Sequence, residues 1–231
     1  MIKVFQVGGS VRDMMLGVLS KDIDYAVEAS SYEDMRTYIL SRTDSKIYLE
    51  TPQYFTIRAH VDKLGDADFV LCRKDGIYSD ARRPDTVEVG TIFDDLSRRD
   101  FTMNAIAINM DNGELLDPYK GQNDIDSGII RCVRKAKDRF EEDALRMLRA
   151  LRFAITKNMT LDIDIMAALG DSHLLGLLKN SISQDRKKDE LMKMFKKDTF
   201  KTLELLRFYP EIKKVLFEDQ PLWLEPTLKE Q

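Results

Sequence analysis

VGGSVRDMMLGVLSKDIDYAV, Val7 to Val27, is the stretch from which the rest of the chain can be read. A largely apolar run, Val4 to Val7, ends in Gly8 and Gly9. Ser10 follows with Asp13 three residues on, the spacing of a helix N-terminal capping box. Two glycines let a backbone pass close to a ligand, and the amides of a helix start favour an anion. Arg12 sits in the first turn, where the helix dipole prefers negative charge. Its presence makes sense if an anion sits beside it.

Gly17 reads as a helix stop, after which Lys21 leads into a second strand, Asp22 to Val27. Alternation along a strand puts Asp22 and Asp24 on one face, roughly 6 to 7 Å apart. Two carboxylates displayed at a strand's start, opposite an anion-holding turn, suit Mg²⁺ carrying a nucleoside triphosphate. A solvated acidic strand end is the bland alternative for DxD alone. GGSVRD followed by DID as one unit is far more specific.

That unit is similar to the catalytic signature of the class II tRNA nucleotidyltransferases and bacterial poly(A) polymerases, within the polymerase-beta-like nucleotidyltransferases. The resemblance implies that Gly8, Gly9 and Arg12 hold the triphosphate and that Asp22 and Asp24 bind two catalytic Mg²⁺ ions. It covers most of residues 1–215, strongly at three motifs.

The remaining composition is that of an ordinary soluble globular protein. The chain has 231 residues, 43% hydrophobic and 33% charged, with a formal net charge of −4. An acidic balance argues against a globally basic nucleic-acid binder but leaves room for a local basic stripe. No apolar run approaches a membrane span and the N-terminus lacks a signal-peptide pattern, so no membrane contact and a cytoplasmic setting are expected. Cys72 and Cys132 lie in apolar strand-like runs and read as buried free thiols, and His60 and His173 are too few for a histidine metal centre.

Downstream, Ser31 with Asp34, or Ser30 with Glu33, opens a helix through Leu40. Lys46–Glu50, Tyr54–Val61 and Ala67–Cys72 alternate as strands. The expected fold is α+β, a mixed and mostly antiparallel sheet with helices. Asp68, on the third of these strands, is either a third acid beside the metal site or an exposed strand residue. Arg73 to Val89 shows little periodicity and reads as a polar loop, inert or a lid over substrate.

Phe93 to Asn109, FDDLSRRDFTMNAIAIN, places Leu96, Phe101, Ala105 and Ile106 on one side of an expected helix. RRDFTMNA resembles the family's second signature, which implies that Arg99 meets phosphate while Asp100 and Asn104 hold the sugar. Asn112-Gly113 signals a turn, and Asp117, Gly121 and Asp124 read as architectural.

From Lys135 the composition turns helical. Arg139 to Thr156 reads as one amphipathic helix with Asp143, Arg146, Arg149 and Arg152 at every third position. It resembles the family's EDxxR motif, which implies that Asp143 and Arg146 read the base edge of the incoming nucleotide and that Arg149 and Arg152 contact phosphate. A carboxylate accepting from the amine of C or A, beside a guanidinium donating to ring acceptors, is chemically suited to that choice. Further helices are expected at Asp162–Leu169, Ser183–Phe195 and Thr199–Phe208. Lys187, Lys188, Lys193, Lys196 and Lys197 form a basic cluster, either a solvated face or an RNA contact.

The expected organisation is a catalytic head over 1–136 and an all-α neck and partial body over 137–231. The resemblance implies ATP and CTP as nucleotide substrates and an RNA acceptor, most readily the tRNA 3′ end, with CCA addition as the main reading. ATP-only polymerisation or partial addition remains within the same class, and a non-catalytic nucleotide- or RNA-binding module is the rival. Family members usually continue with a tail that grips tRNA. The apolar Phe217, Leu222, Trp223 and Leu224 therefore raise the expectation of a partner subunit or self-association.

Overall fold

The computed structural model describes residues 2–20, 22–77 and 86–218. They fall into two compact units, the first running through Ser127 and the second opening at Gly128.

The first unit contains β1 (Lys3–Val7), α1 (Gly9–Met15), β2 (Ile23–Glu28), α2 (Tyr32–Leu40), β3 (Lys46–Thr51), β4 (Thr56–Val61), β5 (Gly65–Leu71), β6 (Arg73–Asp75), β7 (Val87–Val89), α3 (Ile92–Ser97), β8 (Ala107–Asn109), β9 (Leu115–Leu116) and α4 (Gly121–Asp126). Among the described residues the main sheet has seven strands in the order β3-β4-β5-β2-β1-β8-β9. Only β2 and β5 pair in parallel, so the sheet is mixed and mostly antiparallel, and the fold class is α+β.

Register decides what each face does. Tyr25 lies opposite Phe69, and Phe69 opposite Ile57, and this row is buried with Val4, Val27 and Leu71. The Tyr25 and Phe69 rings stack with centroids 5.2 Å apart, and α2 closes the cluster with Met35 and Ile39. Burial of each such side chain contributes about 1.5–3 kcal/mol. The neighbouring row, one residue along, carries Asp24 opposite Asp68 and Asp68 opposite Arg58. Since side chains alternate, burying Tyr25 and Phe69 turns Asp24 and Asp68 onto the other face. A one-residue slip would bury the acids.

The second unit is built from β10 (Ile129–Ile130), α5 (Ala136–Glu142), α6 (Leu145–Lys157), β11 (Thr160–Leu161), α7 (Ile163–Ala168), α8 (Ser172–Ser181), α9 (Gln184–Lys197), α10 (Thr199–Phe208) and α11 (Pro210–Phe217). β10 and β11 pair in parallel. Leu148, Leu151, Leu178, Leu191 and Met194 are fully buried among these helices. None of the described helices is long and apolar enough to cross a membrane.

Several local expectations are corrected. Ser10 does not cap α1: Gly8, at φ 73° and ψ −135°, turns the chain earlier, and the Ser10 hydroxyl donates back to the Val7 carbonyl. Arg73 to Val89 is not wholly irregular, because β6 and β7 form an antiparallel ribbon; Arg82 and Arg83 of that stretch lie outside the described residues. The helix expected over Phe93 to Asn109 ends at Ser97, after which Thr102–Asn104 makes a single 3₁₀ turn and β8 follows. Asp100 helps break it, its carboxylate accepting the Phe101 amide at 2.8 Å. The helix expected over Arg139 to Thr156 is split at Asp143, which is extended (φ −148°) and accepts the Leu145 amide at 3.0 Å. Lys187 does not belong to a solvated face: it is fully buried and donates to the Lys179 carbonyl at 2.9 Å. Leu222, Trp223 and Leu224 lie outside the described residues.

Candidate active site

The glycine turn sits where β1 meets α1, beside the acids of β2. Val7 is the register partner of Asp24, so the turn residues that follow it lie next to the Asp24 carboxylate. A Cβ placed on Gly8 would come within 3.0 Å of Arg99 Nη1 and 3.7 Å of Asp24 Oδ2. These distances bring Gly8, Asp24 and Arg99 to one point, although more than seventy residues separate the last two in sequence.

The cations here are held by buried partners. Asp95, 1% exposed, takes both neighbouring arginines: Arg98 and Arg99 pair with its two carboxylate oxygens, Arg99 Nη2 at 2.8 Å. Burial works to raise the Asp95 pKa, but Arg99 and Arg98 more than offset it and hold the group below the usual carboxylate range. Arg99 Nη1 also donates to the Asn104 carbonyl at 3.3 Å. Arg12 is buried as well, donating from Nη1 to Asn104 Oδ1 at 2.7 Å and pairing with Asp13 at 2.8 Å. The Asn104 amide then donates to Asp100 Oδ1 at 2.9 Å. Arg12, Arg99, Asp100 and Asn104 are thus one hydrogen-bonded network beside the glycine turn. Its support is rigid: the Asp124 carboxylate accepts the Thr102 hydroxyl at 2.7 Å, and a Cβ on Gly121 would fall 2.2 Å from the Thr102 carbonyl, so only glycine fits there.

On the other side of Asp24 lies a cavity of about 320 Å³, whose lining includes Asp22, Asp24, Asp66, Asp68, Arg58 and Tyr48. Asp24 has a raised pKa, first from burial, with Asp68 and Asp22 adding to it while Arg99 and Arg58 oppose it. Asp68 is engaged bidentately by Arg58, at 2.8 and 3.2 Å. Among the described residues no three acidic, histidine or cysteine groups converge tightly enough to hold a metal as they stand. The donor set nonetheless suits a hard divalent cation: oxygen ligands only, and a partly buried carboxylate whose like-charged neighbours a cation would compensate. Arg58, Tyr48, Asp66 and Asp95 were not singled out by sequence reasoning. Their only signal is the strand register and the i+3 and i+4 spacing of Arg98 and Arg99 from Asp95.

In the second unit, Asp143 and Arg146 flank the start of α6. Arg186 from α9 donates to Asp143 Oδ2 at 3.1 Å. Arg146 is 9% exposed, donating from Nη1 to Glu142 at 2.9 Å and to the Arg139 carbonyl at 3.0 Å. Arg152 pairs with Glu190 and lies over the Phe153 ring at 3.9 Å, and Arg149 lies over the same ring at 5.6 Å. The break at Asp143 sets its carboxylate off from the regular stripe that one continuous helix would make.

The paired acids, the glycine turn and the arginine-asparagine network all lie within the first unit. Residues 4–131 match the poly A polymerase head domain, and the chain belongs to that family. It is 37% identical to the CCA-adding enzyme of Lactobacillus gasseri over 194 residues, which is 83% of this chain and 46% of that protein. With the CCA-adding enzyme of Leuconostoc mesenteroides it shares 40% identity over 170 residues, 73% of this chain and 40% of that protein. Among solved structures, the Bacillus stearothermophilus CCA-adding enzyme in complex with CTP superposes with a TM-score of 0.75 at 32% identity, covering 89% of this chain and 47% of that one. A tRNA nucleotidyltransferase complexed with a primer tRNA and an incoming ATP analog gives 0.76 at 31%, covering 95% and 60%. The chain therefore spans less than half the length of these curated relatives.

Proposed function

We propose that this chain carries the nucleotidyl-transfer machinery of an enzyme that adds C and A residues to an RNA 3′ end, with tRNA CCA addition or repair as its task. The observation that supports this best is the meeting of Gly8, Arg99 and Asp24, the last two reaching within 3.0 and 3.7 Å of where a Cβ on Gly8 would stand, with the Arg12–Asn104–Asp100 network alongside. Gly8 and Gly9 leave room for a triphosphate against the backbone. Arg12 and Arg99 face its charge as planar forks already held in place by Asp13, Asn104 and Asp95, so little ordering entropy is lost when phosphate arrives. Asn104 and Asp100 take the sugar hydroxyls.

Asp22 and Asp24 would hold Mg²⁺, with Asp68 as the third acid once Arg58 yields it; bound there, Mg²⁺ supplies charge neutralisation and a more acidic acceptor hydroxyl. Asp143 and Arg146 serve base choice in this reading, and Arg149 and Arg152 face phosphate from positions stiffened by Phe153. A cytoplasmic setting belongs to the same proposal. The test is incorporation of each labelled nucleotide into tRNA lacking CCA, CA or A. CMP and AMP should enter in the order the 3′ end demands, with UMP and GMP excluded. Equal use of all four nucleotides, or no transfer to any RNA in the presence of Mg²⁺, would refute it.

A further inference from the structure

The triphosphate network accounts for one side of Asp24, and the cavity on the other side has no part in it. In the sheet order, β1 and the glycine turn flank β2 on one edge, while β5, β4 and β3 extend from the other. In-line phosphoryl transfer needs the attacking and leaving oxygens on opposite sides of the phosphorus. If the pyrophosphate leaves toward Gly8, Arg12 and Arg99, the attacking hydroxyl must arrive from the β5–β4–β3 side. That side holds the 320 Å³ cavity.

Two of its polar lining residues, Tyr48 and Arg58, are not acids. Tyr48 is 50% exposed, and its hydroxyl donates to Asp66 Oδ1 at 3.2 Å, an oxygen also held by His60 Nδ1 at 2.7 Å. The Lys46 ammonium lies 5.7 Å from the Tyr48 ring centroid. The β3–β4 register shifts between Ile47 and Leu49, so Tyr48 is the extra residue of a bulge, a device that re-aims a side chain. Arg58, with 58% of its side chain exposed, commits Nε and Nη2 to Asp68 at the edge of the same cavity. An oriented aromatic ring, a guanidinium and an ammonium beside catalytic acids match the parts of a single-stranded 3′ terminus: a base with a π-face and a backbone phosphate.

We propose that Tyr48 and Arg58 form the acceptor subsite, Tyr48 stacking on the terminal base of the RNA and Arg58 engaging its phosphate. This deepens the function proposed above and rests on it for the in-line geometry and for the identity of the acceptor. Tyr48 is a binding residue in this scheme, and Arg58 both binds RNA and sets the orientation of Asp68.

The experiment uses the full chain and a short single-stranded RNA ending in CC, labelled at its 5′ end and followed by anisotropy without metal or nucleotide. CTP affinity is measured separately by equilibrium dialysis, and thermal melting monitors the fold. Tyr48→Ala should weaken RNA binding by about 5- to 150-fold, the range for loss of one stacked base. Tyr48→Trp should restore it, and CTP affinity should not follow. Arg58→Gln should flatten the log–log salt dependence by about 0.7, the contribution of one phosphate on a single strand. Unchanged RNA affinity in Tyr48→Ala, or parallel losses of RNA and CTP, would overturn the subsite. If the variants behave as stated but the wild type transfers no nucleotide, the subsite stands and the function proposal falls. If wild-type transfer is found and both variants bind RNA like wild type, the reverse holds.

Discussion

Gly8→Ala is the substitution whose effect follows most directly from the geometry. Gly8 has φ 73° and ψ −135°, a backbone state close to one that only glycine occupies readily. Forcing alanine into it costs about 1–3 kcal/mol. For a chain of this length each kcal/mol moves melting by about 2–4 °C, so the head should melt roughly 2–12 °C lower. A second effect is local: the new methyl would sit 3.0 Å from Arg99 Nη1, and Arg99 cannot retreat without loosening Asp95 at 2.8 Å or the Asn104 carbonyl at 3.3 Å. Displacing one charge-assisted hydrogen bond to phosphate costs about 1.5–3 kcal/mol, or roughly 10- to 150-fold in CTP affinity. Gly17→Ala is the control, because Gly17 also has positive φ, 71°, but nothing within 4 Å of its would-be Cβ. It should lose stability and keep CTP. Calorimetry and equilibrium dialysis on both variants decide the matter. If Gly8→Ala melts with wild type, or if Gly17→Ala loses CTP equally, the argument fails.

Three further outcomes follow from the charges. Asp24 has a folded pKa above its ordinary 3.8, chiefly through burial, so its ionised form costs stability once the pH exceeds that value. Asp24→Asn should therefore raise the melting temperature at pH 7 and not at pH 3, while turnover falls by orders of magnitude and Mn²⁺ binding is lost; a lower melting temperature at pH 7 contradicts it. Asp95 is shifted the other way, burial being outweighed by Arg99 and Arg98, so its stabilisation is present above the unfolded pKa and disappears as pH falls through the folded one. Asp95→Ala should cost about 3 kcal/mol at pH 7, a loss that shrinks in acid, as urea titrations at the two pH values would reveal. Arg186→Met should free the Asp143 carboxylate and erode discrimination of C and A against U and G by about 1–3 kcal/mol. Arg186→Lys should recover part of it in single-nucleotide incorporation assays, and unchanged selectivity in Arg186→Met would show that Asp143 needs no brace.

What could be read ahead of the structure was whatever depends on neighbours in sequence. Ser31 caps α2 as its spacing with Asp34 implies, the alternating runs became β3, β4 and β5, and both cysteines are buried. Local signals were less dependable where a polar side chain had a stronger claim on the backbone. Asp143 takes the Leu145 amide and splits a helix that apolar periodicity alone would continue, and Asp100 does the same to the Phe101 amide. Ser10 lost the cap because a glycine before it could turn the chain sooner.

Long-range pairing is where a single sequence is silent in principle. Asp68 was open to two readings, metal neighbour or exposed strand residue, because nothing near it in sequence sets its partner. The parallel register of β2 and β5 puts it beside Asp24, and the antiparallel register of β4 and β5 puts Arg58 beside it in turn. The same row that brings two like charges together also supplies the cation that keeps one of them occupied, at 2.8 Å. Coulomb repulsion between Asp24 and Asp68 would otherwise strain the sheet whenever no cation is bound. Arg58 is thus a reason the acids can be held in readiness at all: it neutralises Asp68 from a side chain exposed enough to swing away, where a buried arginine such as Arg12 could not.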